Sequence, residues 1–355
     1  MLITEHAQQQ ATIVVAGVDT HKNSHHVAVL DLAGRILGDR EFPVSSAGYR
    51  SLLDWVSSHG VIDRIGIELT GSYGAGLTRY LTAAGVAVRE VNTTDKATRA
   101  RRGKNDTIDA IAAAQKVLSG MATATPKNTT SSVESIRVLT VVRDSAVKNR
   151  TQALNQLGAL MVTAPAELRE QLDALTLTQV AARARSFRPD RGRLADPVQA
   201  VKIGLKRLGD RIQDLDLEIS AADKELKSLV ADTAPTLLAC YGIGTHHAAR
   251  FLITASSNID RIRSEGAFAR LCGAAPIPIS SGKTRRMRLH RGGDRQANKA
   301  LHMTVIGRFK NHPPTAHYRA KKEAEGHSKR DTIRALKRYI AREVFNALKT
   351  DLIIP

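Results

Sequence analysis

Four carboxylates, Asp19, Glu68, Asp106 and Asp109, stand where a fold could gather them round a divalent cation. Asp19 closes the β-branched run TIVVAGVD, and Glu68 lies in a second such run, RIGIELT. If those runs are neighbouring strands, both acids emerge close together from the sheet. Asp106 and Asp109, in KNDTIDA, are three residues apart near a helix start, and residues at that spacing are neighbours on a helical surface. Hard oxygen donors suit Mg²⁺ or Mn²⁺. Paired ions roughly 3.5–4 Å apart can activate an attacking oxygen and stabilise a leaving one in phosphodiester cleavage. Singly, each acid has a plainer reading: Asp106 as a helix cap, Asp109 as a solvated first-turn residue, Asp19 as a strand terminator. Their joint placement in an otherwise cationic chain favours the site, because clustered acids are costly unless cations neutralise them.

The elements that must position these acids follow from periodicity. Strands are predicted at residues 12–19, from His25 (HHVAVLD) and from Arg35 (RILGDREFPV), with the turn-like Ala33-Gly34 between the last two. The period then changes to a helix through residues 48–58, with Leu52, Leu53, Trp55 and Val56 as its apolar stripe. A strand over residues 64–70, a helix around 77–84, a strand over 86–91 and a helix from about Thr107 to Leu118 complete the order βββαβαβα, which is a mixed α/β sheet.

Residues 121–133 (MATATPKNTTSSV) read as a linker or domain edge. Beyond them, residues 134–161 and 197–230 carry heptad-like apolar spacing, with Leu205, Leu208, Ile212, Leu215, Ile219, Ala222 and Leu226 on one approximate face. Separated by breakers around 186–196, these helices form either a coiled-coil arm that meets a partner or a bundle within the chain. Gly242-Ile243-Gly244 interrupts two helical patterns, as a helix-hairpin-helix turn or as a simple tight connection. Helices are expected at 268–272, 295–308 and 329–348, with an irregular loop over 273–293.

The formal charge of +19 and pI near 10.3 call for a polyanionic partner, and nucleic acid leads. No apolar run approaches the ~20 residues a spanning helix needs, which sets membranes aside. The N-terminal residues lack the layout of a secretory signal, so a cytoplasmic location is expected, at the bacterial nucleoid when the protein acts. Cys240 and Cys272, far apart and without a CxxC pair, suggest neither a disulfide framework nor a zinc site. Aromatic residues make up 4% of the chain, too few for a row of base-stacking platforms, so phosphate and shape contacts should dominate. Lys96, Arg99, Arg101, Arg102 and Lys104 precede the acidic helix, while Lys283, Arg285, Arg286, Arg288, Arg291 and Arg295 lie in a second basic run. Such runs are ordinarily solvated faces; beside catalytic groups they could hold scissile phosphates. Lys321, Lys322, Lys329, Arg330, Arg334, Lys337 and Arg338 add a basic face near the end, and the paired histidines His25, His26, His246 and His247 read as surface or packing residues.

The segments GVDTHK, ELTGSYG and GKNDTIDA resemble the N-terminal motifs of the insertion sequence 110 family of DEDD transposases. Downstream, LCGAAPIPISSGKTRRMRLHRGGDRQANKAL resembles that family's C-terminal transposase domain, in the right order along the chain. The resemblance implies a ribonuclease-H-like (RuvC-like) mixed sheet, then a coiled-coil helical arm and a small, mostly helical transposase domain. The expected divisions are 1–125, 126–232 and 233–355. It implies catalysis by Asp19, Glu68, Asp106 and Asp109 with Mg²⁺, Mn²⁺ being the other candidate. It also implies a serine nucleophile in the Ser-Gly motif, by position Ser281, with Ser280 adjoining it. The implied partners are double-stranded donor and target DNA, a structured noncoding guide RNA (a bridge RNA), and further copies of the chain as dimers assembling to tetramers. A junction resolvase or nuclease working with the carboxylates alone, and a noncatalytic nucleic-acid-binding protein, are the two competing readings.

Overall fold

Alternation of apolar residues along two buried strands decides the first half of the molecule. In β1 (Ile13–Thr20), Val14, Ala16 and Val18 join one core while Val15 joins another, and in β2 (Ser24–Asp31) Val27 and Val29 part from Ala28 and Leu30 in the same way. Strands buried on both faces need helices on both. The computed structural model describes residues 12–92, 105–282, 284–288 and 290–353, and supplies them. β3 (Ile36–Pro43) and β2 run antiparallel to their neighbours, while β4 (Val61–Glu68) and β5 (Val88–Val91) continue in parallel from β1. The sheet order β3-β2-β1-β4-β5 is the ribonuclease-H-like arrangement that was expected.

One face carries α1 (Ser46–Ser57) and α2 (Ala75–Ala83), which bury Leu52, Val56, Leu77 and Leu81 against Val14, Val18, Ile65 and Ile67. Each such side chain contributes about 1.5–3 kcal/mol of transfer free energy. The other face carries α3 (Asp106–Leu118), whose Ala110, Ala113, Ala114 and Val117 pack on Val15, Ala28, Leu30 and Val91. Small residues dominate that contact, so α3 lies close to the strands. After α3 the chain returns to the sheet edge, where Glu90 N donates to Ala124 O at 2.8 Å.

The chain divides into two compact units: residues up to Ser131 with Ala255–Arg263, and Ser132–Thr254 with residues from Ser264 on. In the second unit the long helices α4 (Ser132–Val162) and α7 (Pro197–Thr233) pack along each other. Leu205, Ile212, Ala222 and Leu226 of the expected stripe are buried within the chain. Between them lie α5 (Ala166–Glu170) and α6 (Leu177–Arg185), the latter started by a capping box of Thr176 and Gln179. The Gly242–Gly244 turn joins α8 (Pro235–Ala239) to α9 (Thr245–Ala255) and rests on Arg308, whose Nε donates to Tyr241 O at 2.8 Å. α10 (Glu265–Leu271), α11 (Arg295–Asn311), α12 (Pro313–Ala324) and α13 (Lys329–Leu352) complete the unit.

Residues 273–293 correct one expectation. They hold an antiparallel hairpin, β6 (Ile277–Ser281) and β7 (Thr284–Arg288), rather than a wholly irregular loop. Its strands are largely exposed, and β7 is strongly basic, so they lack the half-buried alternation by which strands are ordinarily read. Both cysteines are free. Among the described residues no helix is long and apolar enough to cross a membrane.

Candidate functional site

Strand alternation places the acids. Val15, Gly17 and Asp19 share one face of β1, and Gly66 and Glu68 share that face of β4, because a Cβ built on Gly17 or on Gly66 would run into α3. Gly17 and Gly66 are register partners in the parallel β1–β4 pair. Without side chains there, the backbone of α3 settles onto the sheet and its first turn, with Asp106 and Asp109, lies on the face that carries Asp19 and Glu68. A built Cβ on Gly17 would stand 2.1 Å from Ala114 N and 2.3 Å from Ala110 O.

The start of α3 is secured twice. Asn105 accepts from Thr107 N at 3.0 Å as its cap, and Thr107 Oγ1 donates to Asp39 Oδ2 at 3.1 Å. His26 Nε2 lies 2.6 Å from the same Asp39 oxygen, so His26 has a tethering role beyond packing. The positive end of the helix dipole at this turn partly offsets the gathering of negative charge. On the strand side, Thr20 Oγ1 donates to Glu68 O at 3.1 Å and ties the end of β1 to the end of β4.

Asp19, Glu68 and Asp109 are buried, and the Asp106 side chain is half-exposed. One residue passed over in the sequence stands between Asp19 and Asp106, and Glu68 and Asp109 fall outside the close group it forms with them. His21 Nε2 is 3.2 Å from Asp19 Oδ2 and 3.2 Å from Asp106 Oδ1. Ligand atoms of Asp19, His21 and Asp106 lie within 4.8 Å of one another, a group that could hold a metal ion. The signal for His21 was available: it follows Asp19 by two residues, the spacing that returns a side chain to the same face of an extended chain.

Burial pushes the Asp19 carboxyl above its ordinary range; His21 draws it down, while the charges of Asp109 and Asp106 raise it further. Desolvated acids in mutual repulsion are the setting in which a divalent cation gains most, since it favours every ionised form at once. The donor set suits such an ion: carboxylate oxygens match Mg²⁺ and Mn²⁺, and imidazole nitrogen is more usual on transition metals.

The other predicted residues lie in the second unit. Ser281 ends β6 and is exposed, with Gly282 beside it at a φ of +55° in the hairpin turn. Ser280 pairs with Arg285 across the hairpin, and Arg286 and Arg288 are exposed on β7. Arg291 and Arg295 line a cleft of about 780 Å³ with Lys299, Lys329, Arg330 and Arg334. The basic residues Lys96, Arg99, Arg101, Arg102, Lys104 and Lys283 lie outside the described residues.

The chain matches two descriptions of known proteins in sequence. Residues 16–164 match the DEDD transposase family of IS110 elements, described as "Transposase", and residues 234–319 match the "Transposase IS116/IS110/IS902 family". A Streptomyces coelicolor protein assigned as a mini-circle transposase for IS117 is 26% identical over 330 residues, covering 78% of this chain and 79% of that protein. The first match takes in the end of β1 and all of β4 and α3, with all four acids, and the second spans the Ser281 hairpin and the basic cleft's α11 wall. The two matches fall in order along one chain, and the protein is accordingly a DNA transposase that belongs to the IS110 family.

Proposed function

We propose that this transposase cuts and rejoins DNA strands with Ser281 as the attacking group and with Asp19, Glu68, Asp106 and Asp109 holding Mg²⁺, or Mn²⁺, and His21 beside them. The observation that carries the reading is the seating of the acidic first turn of α3 on the sheet face that bears Asp19 and Glu68. When bound, the ion would neutralise charge on the phosphate and favour departure of the leaving oxygen.

A serine hydroxyl is a weak nucleophile until its proton has somewhere to go. In the proposed step the Ser281 oxygen bonds to phosphorus, the bond from phosphorus to the leaving deoxyribose oxygen breaks, and the serine's proton is balanced by the one that oxygen takes up. The resulting serine phosphodiester conserves the phosphodiester linkage, so attack by a second strand's hydroxyl can reverse the sequence and rejoin DNA. The metal group belongs to the first unit and Ser281 to the second. Arg286, Arg288, Arg291 and Arg295 would hold the flanking phosphates, with Arg101, Arg102, Lys104, Lys283 and Arg285 completing the basic surface. The division of labour follows residues 1–125 as catalytic domain, 126–232 as helical coiled-coil arm and 233–355 as transposase domain.

The charge of +19 exceeds what one scissile site needs, which supports a structured guide RNA bound together with donor and target DNA. Dimers assembling to tetramers would bring two sets of strands together, in the cytoplasm at the nucleoid.

The deciding experiment traps protein on DNA. Full-length protein with its copurified guide RNA, donor and target DNA and Mg²⁺ should give a covalent phosphoserine adduct that is lost in Ser281→Ala and kept in Ser280→Ala. Undiminished adduct and strand cleavage in Ser281→Ala overturns the serine assignment. Cleavage without any adduct favours hydrolysis by the carboxylate site alone.

A further inference from the structure

Residues 291–298, RGGDRQAN, supply arginines to the basic cleft, but their glycines, aspartate and asparagine do something separate: they close the base of the hairpin that presents Ser281. The hairpin cannot orient itself. Its strands are exposed almost throughout, and an isolated two-stranded ribbon is marginal in water. Its direction must therefore come from its root.

Both ends of the root are fastened to the last turn of α10. At the start, Gly273 takes a φ of +64° and its N donates to Arg270 O at 2.9 Å. At the end, Gly293 takes a φ of +92°, where a Cβ would fall 2.6 Å from Leu271 O, and Asp294 N donates to that same oxygen at 2.7 Å. Asp294 then caps α11, accepting from Gln296 N at 2.8 Å and Ala297 N at 3.1 Å, while its other oxygen accepts from Thr254 Oγ1 at 2.7 Å.

One side chain bridges the two ends. Asn298, in the first turn of α11, donates through Nδ2 to Cys272 O at 2.8 Å and to Gly273 O at 3.0 Å. Its Oδ1 accepts from Lys337 Nζ of α13 at 2.6 Å. Two carbonyls can only accept and an ammonium can only donate, so these partners permit a single orientation of the amide. Aspartate would lack the donors. Among the described residues no carboxylate forms an ion pair with Lys337, and the half-buried ammonium is given over to this amide.

We propose that Asn298 is a positioning residue for strand transfer: through Cys272 and Gly273 it sets the angle at which the hairpin carries Ser281, and Lys337 keeps its amide facing those carbonyls. The proposal rests on the assignment of Ser281 for its catalytic consequence, and on the hydrogen bonds alone for the anchoring.

The test compares full-length Asn298→Asp, Lys337→Met and Ser281→Ala. Asn298→Asp nearly preserves shape and converts the Lys337 contact to an ion pair while removing both donors to the root. Adduct formation should fall about 100-fold, the loss that a misplacement near 1 Å can bring, with the thermal midpoint unchanged. Amide hydrogen exchange over residues 273–288 should rise. Lys337→Met should move both readouts in the same direction by less. A wild-type rate in Asn298→Asp overturns the positioning role, and so does a loss of rate that merely follows a lowered thermal midpoint. Full activity in Ser281→Ala sinks the serine assignment separately, whereas unaltered hairpin exchange in Asn298→Asp sinks the anchor.

Discussion

Gly17 and Gly66 face each other across the parallel β1–β4 pair, and the backbone of α3 lies directly over both. Glycine inside a strand normally weakens it, and here the gain is close approach. The contact sets the height of the acidic turn above Asp19 and Glu68.

Gly17→Ala should therefore harm both stability and the site. Its new methyl would meet the backbone of Ala114 and Ala110, which can move only with the whole helix. Overpacking of this kind costs about 1–3 kcal/mol, and sometimes more. At Gly66 the nearest atoms are the Cγ2 methyls of Val117 and Val91, at 2.4 and 2.8 Å, which have more freedom to yield. The expected order is a larger fall in thermal midpoint and in Mn²⁺ affinity for Gly17→Ala than for Gly66→Ala. Equal, small effects would show that α3 is not held at this distance.

Asp19→Asn should stabilise the metal-free protein while abolishing its response to metal. The folded carboxyl titrates above its ordinary value of 3.8. Between that value and the raised one the folded protein holds more protons than the unfolded chain, so stability falls as pH climbs through the window and the deficit persists at neutral pH. Removing the charge removes the deficit. In the wild type, Mg²⁺ at one hundred times its dissociation constant should restore about 2.7 kcal/mol, seen as a rise in thermal midpoint. A midpoint in Asp19→Asn that still rises with Mg²⁺ would remove Asp19 from the ligand set.

His25 gives the first unit an acid-sensitive core. It is fully buried on β2 and stacks on Tyr49 of α1 at 5.9 Å, and burial is the main cause holding its pKa below the ordinary 6.5. Between the lowered value and 6.5 the unfolded chain binds the extra proton, so stability is complete above 6.5 and drains away as pH falls. His25→Phe should keep the stacking and flatten that acid limb in denaturant midpoints measured from pH 7.5 to 5. His246 and His247, also lowered by burial, will leave some slope, so the measure is the difference between the two proteins.

The ribonuclease-H-like sheet was legible because its strands alternate or run apolar and its helices keep a 3.6-residue stripe; the expected elements from residue 12 to 118 all recur within a few positions. Glycines 17 and 66, His21 and the hairpin were harder. A strand glycine has no side chain to announce what packs on it, although its very presence in a buried run signals close approach. The β6–β7 ribbon buries almost nothing, so its sequence is free of the pattern by which strands are read. α12 begins at Pro313-Pro314, which looks like a break until proline is allowed at the first helical positions, where its missing N–H costs nothing. α6 carried a readable start in Thr176 and Gln179, three residues apart.

The tie between β1 and β4 has a consequence in time. Asp19 leaves the ribosome early, but the group round it is incomplete until the chain has been made through Asp109 and α3 has docked on the strands. Parallel pairing between such distant segments is slow to form, because the loop between them must close before any contact rewards it. A nascent or truncated chain that stops short of α3 thus holds Asp19 and Glu68 without the acidic turn that joins them, and it also lacks the downstream segments that carry most of the basic charge.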